Sequence, residues 1–511
     1  MTELADWLTP LPDAEAARAT DRWAIEQRGV PSLDLMERAG AGAARAVEQL
    51  AADGPVAVVC GKGNNGGDGF VVARLLREAG REVTVVCVAP IAELRGDAAE
   101  NARRLPGESP RSLAEGREAI ARSSATVDAL LGTGFAGEPH GPTAEAIDAI
   151  DDSRSPVLAI DVPSGVDAST GVVAGAAVRA TVTVTFNSAK PGLWIMPGKA
   201  HAGEVRTLDI GIPRGAPVAA TIGLIEPAIG GQLPRRAGDT TKFVSGQVVV
   251  AGGSRGLTGA PQMASRAAMR AGAGYVIACV PASLQDVIAT AATPELMTRG
   301  LPEEGSALAP DAVATVIENI RPGGALALGP GLGRSEAAVA FARALARETQ
   351  APMVLDADGL NAHSGCLGDL QSRRAATVLT PHAGELARLL ELDSEQIERE
   401  RLRHVRAAAE RSGAVVVLKG DDTLVATPAG IVAVSRGGSP ALATAGTGDV
   451  LTGVIGALLA ARLDPFVAAA AGVWLHAAAG REAARRQGAA EGVIAGDVID
   501  GLPAARARVD G

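Results

Sequence analysis

Short runs of aliphatic and β-branched residues alternate along this chain with longer segments whose apolar positions recur every three or four residues. In the first half PVAVVC (55–60) and EVTVVCV (82–88) predict buried strands, and Phe70, Val71, Leu75 and Leu76 between them predict a helix over 67–79. Further strands are expected at 125–131, 156–161 and 181–186. In the second half the pattern predicts strands at 246–251, 275–280, 325–328, 352–356, 376–379, 414–418 and 423–427, with helices between most of them. Strands that are apolar throughout and separated by helices belong to parallel sheets covered on both faces. The expected class is α/β in both halves.

Between the halves, Glu226 to Asp239 (EPAIGGQLPRRAGD) carries glycine, proline and charge but no period. It is the expected linker between domains at 1–225 and 240–511. The length of 511 residues exceeds one ordinary core, and 47% hydrophobic with 21% charged residues excludes wholesale disorder. A net charge of −10 argues against a nucleic-acid surface, which needs a basic stripe. Cys60, Cys87, Cys279 and Cys366 form no CxxC pair and no Cys/His metal spacing; the first three lie in apolar runs and read as buried inert thiols. Residues 1–20 are acidic without an apolar leader core, and the longest apolar stretch, 450–461, is too short to span a bilayer. The expectation is a soluble cytoplasmic protein without membrane contact.

Gly61-Lys62-Gly63-Asn64-Asn65-Gly66 follows a predicted strand and opens a predicted helix, so its amides can approach a phosphate closely. An ordinary dinucleotide fingerprint fails here at two points. The second strand ends Val88-Ala89-Pro90 without a ribose-binding acid, and the turn runs on as Gly67-Asp68-Gly69, which puts a carboxylate beside the anion. Three more loops should end strands on the same sheet edge: DALLGTGF from Asp128, DVPSGVD from Asp161 and FNSAKPG around Lys190. Asn65, Asp128 and Ser164 offer hard oxygen ligands for a monovalent or divalent cation, and Asp161 with Lys190 forms a candidate proton-transfer pair.

In the second half, Gly446-Thr447-Gly448-Asp449 precedes an apolar helical run. Amides of a glycine-rich turn at a helix start stabilise a transferring phosphoryl group, and an aspartate there can take a proton from the acceptor hydroxyl. Lys419-Gly420-Asp421-Asp422 ends a buried run as a phosphate-facing lysine would, and TPHAGE from Thr380 brings His382 and a carboxylate, Glu385, suited to Mg²⁺. GPGLG from Gly329, LDADGLN around Asp356 and GGSRGLTGA from Gly252 end further strands. Only five of the 48 cationic residues are lysine; Lys62, Lys190 and Lys419 fall in these motif loops and Lys242 stands shortly before GGSRGLTGA, and lysine kept in an arginine-rich chain is expected where a compact ammonium fits better than a guanidinium.

GKGNNGGDG, DALLGTGF, DVPSGVD and FNSAKPG, with LMERAG upstream (35–40), resemble the NAD(P)H-hydrate epimerase family, or YjeF N-terminal domain. That resemblance implies a Rossmann-like domain interconverting the R and S hydrates of NADH and NADPH (NADHX and NADPHX). It places Asn64, Asn65, Gly66, Gly67 and Asp68 with Gly132, Thr133, Gly134, Phe135, Ala136, Gly137 and Glu138 around the dinucleotide. Asn65, Asp128 and Ser164 fall at the family's K⁺ positions, and Asp161 matches its substrate-binding acid and is the catalytic choice, with Lys190.

Lys242-Phe243 with GGSRGLTGA, GPGLG, LDADGLN, TPHAGE, LKG and GTGDVLTG resembles the ribokinase-like fold and, within it, the NAD(P)H-hydrate dehydratase family. This implies dehydration of the S hydrate with ADP or ATP and Mg²⁺; two-domain bacterial chains of this type prefer ADP. It places Ala260, Gly331 or Gly333, His382 and Asp449 against the hydrate, and Lys419, Gly420, Asp421, Asp422, Thr423 and Gly448 against the nucleotide. The family also implies a homo-oligomer, a tetramer. Two other readings of the residues stand beside this one: a vitamin-precursor kinase in the second half, and a binding-only first half.

Overall fold

The computed structural model describes residues 4–217 and 219–508. The chain divides into two compact units, one built from Pro10–Ile222 and the other from Ala5–Thr9 with the chain from Gly223 onward.

The first unit is a seven-stranded sheet in the order Arg111–Ser112, Val83–Cys87, Val56–Cys60, Ala125–Ala129, Val157–Ile160, Val182–Phe186, Glu204–Leu208, parallel throughout. Val56, Val58 and Cys60 join one core with Phe70, Leu76 and Val47, while Ala57 and Val59 join the other with Ile120, Ile147 and Ile150. Alternate residues of a central strand thus feed two cores, so the run must be apolar at every position. The helix Ser32–Leu50 packs on the helix Asn64–Glu78, where Glu37 pairs with Arg74 at 2.5 Å and Met36 lies over Gly67. The LMERAG segment is packing for the glycine turn.

The second unit is an eleven-stranded sheet in the order Leu8–Pro10, Ile222–Ile225, Val432–Val434, Leu424–Ala426, Val415–Leu418, Thr377–Leu379, Met353–Leu355, Ala325–Leu328, Gln247–Ala251, Tyr275–Pro281, Met297–Leu301. The seven strands from Val415–Leu418 to Met297–Leu301 pair in parallel, and Leu424–Ala426 and Val432–Val434 add antiparallel. The chain start is fixed here: Trp7 is buried with its ring 5.5 Å from Phe466, and Thr9 donates to Glu226 at 2.6 Å. The aperiodic stretch read as a linker includes a 3₁₀ turn, Pro227–Gln232, whose Ile229 is fully buried.

Cys60, Cys87 and Cys279 are buried, and burial pushes the Cys87 and Cys279 thiols up to about 12. Among the described residues no helix is long and apolar enough to cross a membrane.

Candidate active sites

Parallel strands all release their loops at the same sheet edge, and the motif loops of the first unit meet there. Asp161 follows the strand Val157–Ile160 with a left-handed backbone, φ 68°, which a non-glycine residue adopts at some strain. Its Oδ1 accepts from Lys190 Nζ at 2.6 Å, and its Oδ2 accepts from the Thr133 amide at 2.9 Å and from the Thr133 hydroxyl. Lys190, itself buried, also donates to Thr185 Oγ1 at 2.8 Å and to the Phe186 carbonyl at 3.2 Å. Burial pushes the Asp161 carboxyl up, but Lys190 and the Thr133 donors outweigh it and hold the group below the usual carboxylate range.

Asp68 behaves oppositely. It is buried in the first turn of Asn64–Glu78, and burial, then the charges of Asp161 and Asp21, push its carboxyl well above the ordinary value despite Lys190. One site therefore holds two carboxyls that their surroundings push in opposite directions. Gly132 lies against both sides of it: a Cβ there would meet Asn65 Oδ1 at 3.0 Å and Asp161 Oδ2 at 3.2 Å. Gly66 packs so closely on Gly61 that a Cβ would sit 2.0 Å from its carbonyl oxygen. Gly134, Ala136, Gly137 and Glu138 are exposed, and Phe135 is half-buried with its amide donating to the Gly132 carbonyl at 3.0 Å. Asn64 is exposed at the helix start.

Asn65, Asp128 and Ser164 converge on the Leu131 peptide. Asn65 Nδ2 donates to its carbonyl at 2.9 Å, and Ser164 Oγ accepts from its amide at 2.9 Å. Asp128, fully buried, accepts from Ser164 Oγ at 2.6 Å, from the Ser164 amide at 2.8 Å and from the Leu130 amide at 3.2 Å. Burial pushes this carboxyl up to about 6 against those bonds, and the nearby charge acting on it is another carboxylate, Asp151. A buried carboxylate beside an amide oxygen and a hydroxyl offers the oxygen ligands that a hard cation takes.

In the second unit Gly446, at φ 88°, caps the helix Thr447–Ala460. The first intrahelical bond runs from the Val450 amide to the Gly446 carbonyl, so the amides of Thr447, Gly448 and Asp449 are left for an anion. A Cβ at Gly448 would lie 3.6 Å from Lys419 Nζ. Lys419 donates to Asp356 Oδ1 at 2.9 Å and lies 3.6 Å from Glu385 Oε2, while Thr452 donates to Asp356 Oδ2 at 2.7 Å. Burial pushes the Lys419 ammonium down, but Asp356 and Glu385 outweigh it and raise it above the ordinary value. Asp449 is pushed up to about 7 by burial and then by Asp356, with Lys419 opposing.

His382 caps the helix Ala383–Leu390, its Nδ1 accepting from the Gly384 amide at 3.0 Å and the Glu385 amide at 3.3 Å. With Nδ1 accepting, the network assigns the proton to Nε2. Burial lowers the imidazole below its ordinary value, so the ring is neutral and the Nε2–H can be donated. Glu385 returns a bond to the His382 amide at 2.9 Å. Among the described residues no three His, Cys, Asp or Glu side chains form a metal cluster.

Around the same edge, Ser254 donates to the Gly331 carbonyl at 2.9 Å, Asp358 accepts from the Gly333 amide at 3.0 Å, and Ala260 faces Gly331. The Lys419–Thr423 loop divides in role. Asp422 is fully buried and pairs with Arg401, through Nε to Oδ2 at 3.0 Å and NH2 to Oδ1 at 3.0 Å. Through this pair its side chain holds the loop in place. Thr423 closes the turn by donating to the Gly420 carbonyl at 2.6 Å, and Asp421 accepts from the Gly438 amide at 3.2 Å.

Family models fit both units: one described as NAD(P)H-hydrate dehydratase matches 248–503, and one described as YjeF-related protein N-terminus matches 32–192. A bifunctional NAD(P)H-hydrate repair enzyme from Moorella thermoacetica is 41% identical over 501 residues, covering 94% of each chain. The chain belongs to the bifunctional NAD(P)H-hydrate repair enzyme family. Another member, from Salinibacter ruber, is 40% identical and covers 97% of this chain and 95% of its own. A solved ADP/ATP-dependent NAD(P)H-hydrate dehydratase from Bacillus subtilis, co-crystallised with ATP and Mg²⁺, is 26% identical with a TM-score of 0.47, covering 55% of this chain and 96% of that one.

Within this family member, three residues act at the sites in ways the motif reading did not assign. Asp21, on the helix Ala14–Arg22, acts on Asp68 from outside any motif. Asp356 anchors Lys419, and Arg401 anchors Asp422; only Asp356 carried a signal, its place in LDADGLN. Lys62 is exposed, and Lys242 stacks over Phe243 at 5.3 Å and Tyr275 at 6.0 Å, apart from the Asp356–Lys419–Asp449 cluster.

Two outcomes follow from these pairs. Asp422→Ala removes one of two carboxylates from the buried Arg401 guanidinium, which keeps Glu398 at 2.6 Å, and should destabilise the second unit by about 1.5–3 kcal/mol in denaturant unfolding. A shift under 1 kcal/mol would show that the pair does not hold the loop. For Asp128 the folded-state value of about 6 lies above the ordinary 3.8, so without a cation stability falls as pH rises between them. A cation bound to the ionised form restores it above about 6. KCl should therefore raise the first unit's unfolding temperature at pH 8 relative to tetramethylammonium chloride, with the effect gone near pH 5. An equal effect at both pH values would place the cation elsewhere.

Proposed function

We propose that this chain repairs hydrated NADH and NADPH in two steps. The first unit interconverts the R and S hydrates, and the second removes water from the S hydrate at the expense of ADP or ATP. The observation that carries the reading is Asp449, poised near neutrality at the head of an anion-binding helix and beside Lys419.

The hydrate carries a hydroxyl on the ring carbon next to the nicotinamide nitrogen, and hydroxide is a poor leaving group. Asp449 takes the proton of that hydroxyl as its oxygen attacks the terminal phosphorus of the nucleotide. The amides of Thr447, Gly448 and Asp449 hold the charge on the transferring phosphoryl, and Lys419 steadies the donor phosphates. Mg²⁺, when bound with the nucleotide, neutralises phosphate charge. The ring nitrogen's lone pair then expels phosphate, and loss of a proton from the adjacent carbon restores the reduced ring. With ADP the balance is one AMP and one phosphate per NAD(P)H. His382 Nε2–H, Ala260 and the Gly331–Gly333 loop are assigned to the hydrate, and the Lys419–Thr423 backbone with Gly448 to the nucleotide.

In the first unit the same carbon is inverted without net change. Asp68 protonates the departing hydroxyl as the ring nitrogen's lone pair breaks the carbon–oxygen bond, and Asp161 takes a proton from the water that adds to the other face. Two carboxyls whose surroundings push them apart are the arrangement such acid–base work needs. Asn65, Asp128 and Ser164 are assigned to K⁺, which when bound supplies positive charge beneath the loop from Asp128 to Thr133.

A vitamin-precursor kinase would use the same anion-binding turn, and product analysis separates the two. With S hydrate and ADP, free phosphate should appear in equal amount with reduced nicotinamide; a stable phosphorylated product without phosphate would establish the kinase.

A further inference from the structure

The loops after three neighbouring parallel strands, Ala325–Leu328, Met353–Leu355 and Thr377–Leu379, lead into a connected set of side chains that phosphoryl transfer does not use. Asp358 opens the short helix Asp358–Asn361, and its side chain is 13% exposed. Its Oδ2 accepts from the Gly333 amide at 3.0 Å, and its Oδ1 accepts from Arg334 Nε at 2.9 Å and from Asn361 Nδ2 at 3.1 Å. Asn361 Oδ1 in turn accepts from Arg388 Nε at 2.8 Å. Two guanidinium groups are thus tied to the ends of one Asp358–Asn361 bridge.

Each is held by its Nε–H alone. Among the described residues neither guanidinium has a further hydrogen-bond partner, so most of its N–H donors remain open. Both arginines are exposed, Arg334 to 65% of its side chain. An exposed ion pair by itself contributes little to stability. A guanidinium gripped at Nε has its plane fixed, and its terminal amino groups are left as a pre-set fork for phosphate oxygens.

Place and charge agree with that use. Arg334 directly follows the Gly331–Gly333 loop, and Arg388 lies on Ala383–Leu390 beside His382: a Cβ at Gly384 would meet the His382 ring at 3.0 Å and Arg388 Nη1 at 3.9 Å. Both therefore flank groups assigned to the hydrate. The chain carries a net charge of −10, so the attraction that a dinucleotide anion needs must be local. Lys419 is already shared between Asp356 and Glu385.

We infer that Arg334 and Arg388 form the pyrophosphate subsite for the hydrated dinucleotide, with Asp358 and Asn361 holding the two forks in place. The pyrophosphate does not react, so the subsite holds ground state and transition state equally. It lowers KM for the hydrate and leaves kcat unchanged.

The inference rests on the reading of the second unit as a hydrate dehydratase. The full chain is assayed with the S hydrates of NADH and of NADPH, each with ADP or ATP. Arg334→Gln and Arg388→Gln should each raise the KM for both hydrates about tenfold or more. Asn361→Leu, which releases Arg388 but keeps its charge, should raise it about threefold or more. In all three variants kcat and nucleotide KM should stay within about twofold of wild type, and epimerisation should not change. A wild-type hydrate KM in either Gln variant overturns the inference. So does a rise confined to the NADPH hydrate, which assigns the arginines to the 2′-phosphate, or a rise in nucleotide KM in its place, which assigns them to ADP or ATP. Asn361→Leu with a wild-type KM removes the part given to the bridge. Wild-type protein without nucleotide-dependent turnover would remove the dehydratase reading itself, and the subsite with it.

Discussion

Asp449→Asn should lower nucleotide-dependent dehydration about 10²–10⁴-fold in kcat while the same polypeptide epimerises hydrates at its wild-type rate. The substitution is nearly isosteric and keeps the helix start, the open amides and Lys419. It removes the one group placed to take the hydroxyl proton. Because burial and Asp356 push the Asp449 carboxyl up to about 7, the wild-type rate at subsaturating hydrate should rise with pH through that region and level off above it. The sign follows from the role: the carboxylate must be free of its proton to act as the base. The Asn variant should lose that rise as well as the rate. A variant retaining a tenth of wild-type activity with an unchanged pH profile would assign the proton to another group.

Asp161→Asn should slow interconversion of the R and S hydrates by about 10²–10⁴-fold, so that repair of a mixed sample stalls once the S form is spent. The single change also leaves the Lys190 ammonium, only 4% exposed, without its carboxylate, which is destabilising in its own right. Asp161→Asn combined with Lys190→Met removes both charges and should regain stability without regaining epimerisation. Dehydration of pure S hydrate serves as the internal control and should not change in either variant. Normal interconversion by the double variant would assign the acid–base work of the first unit to groups other than Asp161 and Lys190.

The central strands of both sheets could be read directly, because a strand covered on both faces must be apolar at every position. Val56–Cys60, Gln247–Ala251 and Val415–Leu418 each lie within a residue or two of where the pattern put them. The edges could not. Glu204–Leu208 and Met297–Leu301 are half-exposed and carry charge, the ordinary guard of an unpaired edge, so they lack a buried run. Leu8–Pro10 is three residues long, and its partner Ile222–Ile225 lies more than two hundred residues away.

The sites divide along the same line. Glycine turns and their neighbouring acids are local in sequence, so GKGNNGGDG and GTGD were visible, and the strand ends brought them to the expected sheet edge. What could not be read was the pairing between loops. Lys419 meets Asp356, and Asp422 pairs with Arg401, because a buried charge needs an opposite one wherever the fold supplies it. The scarcity of lysine pointed to Lys190 and Lys419, the two held in buried ion pairs, but also to Lys62 and Lys242, which lie outside them.

The most direct test supplies the full chain with a mixture of R and S hydrates and either ADP or ATP, and follows the return of reduced-nicotinamide absorbance. The account predicts recovery of the whole hydrate pool, beyond the S fraction present at the start, with phosphate released in step. No recovery with either nucleotide would contradict it.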